Sequence, residues 1–117
     1  MNDISKADAF REFESWSKRA LVSLNFGRRD TTFLGFVRRA TLEIKGSSLL
    51  IEVKGVAMAL LNFDSGFTFA DLTIEDVKRE FAKFGRPVEP NMKSCIGVKN
   101  ENGDFFFIFE EQGPLPS

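Results

Sequence analysis

Ile4, Ala7, Phe10, Phe13, Trp16, Ala20 and Leu24 recur three and four positions apart, a spacing that gathers them on one side of a helix. Arg11, Glu12, Lys18 and Arg19 fall on the other side, so the pattern predicts a surface helix of about five turns with one face docked. Ser5 followed by Asp8 fits a capping box at its start, and Asn25-Phe26-Gly27 supplies a stop.

From Thr31 the helical spacing gives way to alternation among Thr, Phe, Val and Ile, the composition of strands. A strand near 32–44 and another near 49–62 are expected, joined through the turn residues Lys45-Gly46-Ser47-Ser48. Leu42 and Ile44 alternate with Thr41 and Glu43, and Leu49, Ile51 and Val53 with Glu52 and Lys54, so one face there is wet. Beyond Gly55 the alternation fails. Val56, Ala57, Met58, Ala59, Leu60 and Leu61 are all apolar, which requires cover on both faces of that stretch. Asp64-Ser65-Gly66 then turns the chain into a third strand through Phe67, Phe69 and Leu72.

A second helix follows. Thr73 and Asp76 form another capping-box pattern ahead of Ile74, Val77, Phe81 and Phe84, Gly85 suits a left-handed cap and Pro87 blocks continuation. Residues 95–99 and 105–110 read as two last strands, linked by Asn100-Glu101-Asn102-Gly103-Asp104. Asn102-Gly103 favours a two-residue type I′ turn; that loop sets Glu101 opposite Asp104, a like-charge pair that leaves a slightly longer loop as the alternative. The expected fold is α+β: a single antiparallel sheet of about five strands in the order α-β-β-β-α-β-β, with a long N-terminal helix and a shorter second one. Residues 1–112 form one domain in this reading, and 113–117 a frayed tail.

Composition sets limits on function. The 117 residues include 43% apolar and 28% charged residues, as in an average globular protein. A single cysteine, Cys95, excludes an internal disulfide. No basic segment followed by an apolar run opens the chain, and no apolar stretch is long enough to span a membrane, so a reduced cytoplasm is the expected location. The net charge of −1 divides into +3 over residues 1–58 and −4 over 59–117. Neither half is basic enough for a nucleic-acid domain.

Histidine and tyrosine are both absent, while phenylalanine occurs 14 times. The commonest general base and the commonest transition-metal ligand are thereby missing, and Cys95 has no histidine to activate it, so it reads as a buried core residue. Asp64, Asp71, Glu75 and Asp76 cluster, but Asp76 and Glu75 suit a helix start and Asp64 a turn; no metal, cofactor or catalytic set is expected, and the chain reads as a non-enzyme.

Three features remain. Arg28-Arg29 and Arg38-Arg39 bracket Phe33 and Phe36, an arrangement able to hold phosphate or stack bases, although exposed arginines are the ordinary case. Strict alternation places Arg38 on the apolar side, where it needs an acidic partner or a ligand; a β-bulge between Gly35 and Arg39 returns it to solvent. Residues 105–109, Phe-Phe-Phe-Ile-Phe, form a strand covered on both sides in preference to an exposed aromatic surface. Two doubly apolar strands with only two helices to cover them point to a homodimer. The leading function is therefore a protein–protein interaction or regulatory module acting through an apolar sheet surface. The alternative is a small-ligand binding protein, with Phe36 and Phe107 lining a pocket and Arg38 orienting an anionic group.

Overall fold

The structure is a computed structural model in which residues 2–28, 33–88 and 91–112 are described. Its elements in chain order are β1 (Asn2–Ile4), α1 (Lys6–Arg19), β2 (Val22–Arg28), β3 (Phe33–Lys45), β4 (Ser48–Val53), β5 (Val56–Asn62), β6 (Phe67–Leu72), α2 (Ile74–Ala82), β7 (Met92–Asn100) and β8 (Asp104–Glu111). The α+β class and the single antiparallel sheet stand, but the sheet has eight strands, in the order β1-β6-β7-β8-β2-β3-β4-β5, where about five were expected.

The extra strands have local causes. The helical stripe stops at Arg19 because Ala20 is extended, its φ and ψ being −146° and 156°. Beyond it Val22, Leu24 and Phe26 face one core while Ser23 and Asn25 are buried on the reverse side. A spacing of four between residues 16, 20 and 24 suits a helix, but period two also links 20, 22 and 24, and sheet pairing decided between them. The single strand expected over 49–62 is a hairpin. Lys54 and Gly55 have φ of 52° and 79°, the two positive values of a type I′ turn, and β5 returns along β4 with Leu60 opposite Leu50. The 113–117 segment lies outside the described residues.

The sheet rolls around α1. Asn62 ends β5, at one edge of the sheet, and Phe67 begins β6, next to the other edge. Six interstrand spacings would separate these strands by about 29 Å in a flat sheet, yet the five intervening peptide steps reach at most about 18 Å. Curvature closes the difference. It is visible where Phe63, just past β5, meets Phe67 of β6 at 4.9 Å and Phe106 of β8 at 5.5 Å between ring centres. The concave side encloses α1, whose Ala9, Phe13 and Trp16 pack against Val22, Leu24, Leu42, Ile51, Ile96 and Ile108. Lys6 at the start of α1 reaches Ser47 Oγ at 2.8 Å and the Asp64 carbonyl at 3.1 Å, tying the helix to the β4–β5 end of the roll.

The convex side carries α2, with Val77 and Phe81 over Leu72, Cys95, Phe107 and Phe109. Its N-terminus is the expected capping box: Asp76 N–H donates to Thr73 Oγ1 and Thr73 N–H to the Asp76 carboxylate, which holds that carboxyl at about 2, below the usual carboxylate range. At the other end, Arg86 N–H donates to the Phe81 carbonyl and Gly85 N–H to that of Ala82, and Gly85 takes φ of 66°. This is the Schellman closure anticipated for Gly85.

Residues 105–109 accordingly form a central strand with both faces covered inside the chain. Phe106 and Ile108 face α1; Phe105, Phe107 and Phe109 face α2. The helices lie on opposite sides, so this stretch calls for no second subunit. The β7–β8 connection is the longer alternative: Lys99 pairs with Phe105, Gly103 takes φ of 89°, and Asn100 Oδ1 accepts the Asp104 N–H. Among the described residues, no helix is long and apolar enough to cross a membrane.

Candidate interaction surface

β3 is the corner strand of the roll. Its first part pairs with β2 and its second, from Thr41, with β4, and an extra residue between Val37 and Ala40 breaks the register against β2. Arg39 occupies this bulge with φ of 54°. Val37 and Ala40 therefore both face α1, while Arg38 and Arg39 are exposed. Of the two readings of Arg38, burial or a bulge, the bulge is the one found.

The bulge is held from behind by a buried acid. The Glu111 carboxylate, on β8, accepts the Arg39 N–H at 2.7 Å, Asn91 Nδ2 at 2.9 Å and the Ser23 hydroxyl. Its neighbour Glu110 receives Arg19 Nε at 2.8 Å and Ser94 Oγ at 3.3 Å. Neither glutamate was singled out from sequence. The signal was there: strand alternation continued from Phe106 and Ile108 carries Glu110 onto the covered face.

Phe36 pairs with Asn25 of β2, which pairs with Phe107 of β8, so all three lie in one row on the convex side. Phe36 is 51% exposed; Arg38 Cζ stands 5.0 Å from its ring centre and Arg86 Cζ 4.8 Å. Two guanidinium groups against one ring are a cation–π arrangement. Phe107 is separated from Phe36 by β2 and is buried beneath Phe81, at 5.2 Å. The structure thus joins Phe36 with Arg38, adds Arg86, and keeps Phe107 in the packing under α2. Arg86 was beyond sequence reasoning, because its position depends on how far the Gly85 turn carries the chain across the sheet. Arg28 is bonded to Asp104 at 2.8 Å, and Arg29 lies outside the described residues.

Cys95 is fully buried, and desolvation followed by the Asp71 charge pushes its thiol well above the usual range; it does not supply a thiolate at neutral pH. Asp76 is engaged in the α2 cap. Among the described residues, no three His, Cys, Asp or Glu side chains gather as metal ligands would.

The largest apolar exposure is on the β4–β5 hairpin. Val56, Met58 and Leu60 are 62%, 53% and 64% exposed. An extra β5 residue between Ala57 and Ala59 alters the register against β4, while Ala59 and Leu61 pack inward on the α1 core. Leu60 shares the convex face with Leu50, which stands opposite Glu43 of β3 and two residues before Glu52. Val56 stands opposite Val53 on the concave side, so the second, convex apolar face expected of 56–61 is carried by Leu60 and the bulged Met58, and among the described residues nothing covers it. Contiguous exposed apolar surface of this kind marks interaction sites.

Compared with family models, curated proteins and solved structures, the chain matches none of them.

Proposed function

We propose that this protein is a non-enzymatic interaction or regulatory module that engages a protein partner through the outer side of the β4–β5 hairpin. The observation that carries this reading is the exposure of Met58 and Leu60 on an edge strand. Edge strands are ordinarily protected by charge, proline or cover, whereas residues 55–63 contain no charged residue and no proline. The chemistry described for Cys95 and Asp76 gives neither a reactive group.

A benzophenone side chain placed at position 58 and irradiated in cells is expected to yield discrete covalent adducts to protein, while the same probe at exposed Thr68 on β6 yields none of the same mass. Equal adducts from both positions, or none from position 58, would sink the proposal.

The Phe36 cluster favours a second reading, a small-ligand binding protein for aromatic carboxylates or similar planar anions, in which the ring stacks and the guanidinium groups attract the charge. Titration of benzoate against isotope-labelled protein is expected to shift the amide signals of 35–38 and 86 together, and Phe36→Ala to abolish the shift. Shifts scattered over unrelated surface would dismiss it.

A further inference from the structure

The exposed strand leaves open which protein it meets, and its own geometry answers in favour of a second copy. Phe63 N–H donates to the Ser47 carbonyl at 2.9 Å, and the register of β4 with β5 continues from there through Leu61–Leu49 and Ala59–Ile51. Backbone groups alternate along an antiparallel pair. Those of Phe63, Leu61 and Ala59 therefore point to β4, and those of Asn62 and Leu60 to the open side. The other edge strand, β1, has three residues and carries Asp3, so among the described residues β5 is the long open edge of the sheet.

We infer that two copies of the chain pair antiparallel through β5, about a two-fold axis at Leu60, joining their sheets edge to edge; this rests on the interaction surface proposed above. The register places Leu60 opposite Leu60 of the partner subunit, Asn62 opposite the partner's Met58 and Leu61 opposite the partner's Ala59. Leu60 and Asn62 then offer their open backbone groups to the new ladder. Leu60 meets its counterpart on the convex face, and Ala59 and Leu61 extend the concave core across the seam. The axis falls on the regular part of the strand, and the bulge at Met58 ends the regular ladder one pair away on either side, at Asn62 and the partner's Met58.

Self-pairing is also what the charge pattern permits. An isologous contact sets each residue near its own copy, so a charged residue near the axis would face a like charge. None occurs from 55 to 63. Lys54 and Asp64 stand at opposite ends of the strand, so antiparallel pairing brings each lysine to the partner's aspartate end. Lys6, bonded to the Asp64 carbonyl, lies at that end too, so each end of the seam carries a single net positive charge and the nine residues between the ends none.

Sedimentation equilibrium of the purified chain over about a hundredfold range of concentration is expected to show a reversible monomer–dimer equilibrium. Leu60→Lys is expected to weaken it at least about tenfold, because two ammonium groups then face each other across the axis, with the circular dichroism unchanged. Leu60→Cys is expected to oxidise to a linked dimer, since directly opposed residues have Cα atoms about 5.5 Å apart; buried Cys95 stays unreacted. A monomer at every concentration, together with heterologous adducts from position 58, would overturn the pairing and leave the interaction surface standing. A dimer indifferent to Leu60→Lys would overturn the pairing and place the interface elsewhere.

Discussion

Phe63→Ala is expected to lower stability by about 3–5 kcal/mol, the range for deleting a buried aromatic ring. Phe63 is almost wholly buried, and its ring touches Phe67, Phe69 and Phe106 edge-on at 4.9, 5.9 and 5.5 Å. Those residues belong to β6 and β8, whereas Phe63 follows β5 directly, so the ring fastens one edge of the rolled sheet to β6, next to the opposite edge, and to β8 at its middle. Alanine leaves a cavity that the roll can relieve only by opening. The effect should therefore be regional as well as global: in hydrogen exchange, amides of β4 and β5 lose protection at lower free energy than those of β7 and β8. Trp16, the sole tryptophan in a chain without tyrosine, reports the global transition in denaturant. A loss below about 1 kcal/mol, or uniform loss of protection, would contradict the role given to Phe63.

Glu111→Ala should be the most damaging polar substitution, at about 2–4 kcal/mol. Its carboxylate satisfies three donors from different parts of the chain, the Arg39 N–H, Asn91 Nδ2 and the Ser23 hydroxyl. Alanine strands Ser23, which is itself buried, and frees the bulge that turns Arg38 toward Phe36. Glu111→Gln keeps the shape but sets an amide N–H₂ against one of the donors, so a smaller loss is expected. Chemical denaturation gives the size of each effect, and the Arg39 amide resonance gives its location. If Glu111→Ala leaves that resonance in place, the carboxylate does not hold the bulge.

Much of the local structure was legible in the sequence because it depends on neighbours in the chain. The Thr73–Asp76 box, the Gly85 closure and the turn around Gly46 lie where their residues direct, and the Phe-rich 105–109 strand is central because both of its faces had to be covered. The misreadings arose where two periodicities coincide or where contacts are distant. Ala20 and Leu24 satisfy helix and strand alike, and only pairing with β3 and β8 makes 22–28 a strand. The Lys54-Gly55 turn was missed because lysine at positive φ carries little sequence signal, although the loss of alternation beyond Gly55 marked the place. At the candidate site, Phe36 and Arg38 were named from their spacing, with burial of Arg38 and a bulge between Gly35 and Arg39 both left open. The bulge and the arrival of Arg86 are tertiary events.

The strand order has a consequence for the chain as it is made. β8, the last strand in sequence, lies between β7 and β2 near the middle of the sheet. Until residues 104–111 leave the ribosome, the β2–β5 meander and the β1-β6-β7 group each present a bare inner edge, and Phe13 of α1 and Phe81 of α2 lack the β8 residues they pack with. The two halves therefore stay unjoined until β8 has been made, and the chain is most exposed to misassembly before that strand arrives.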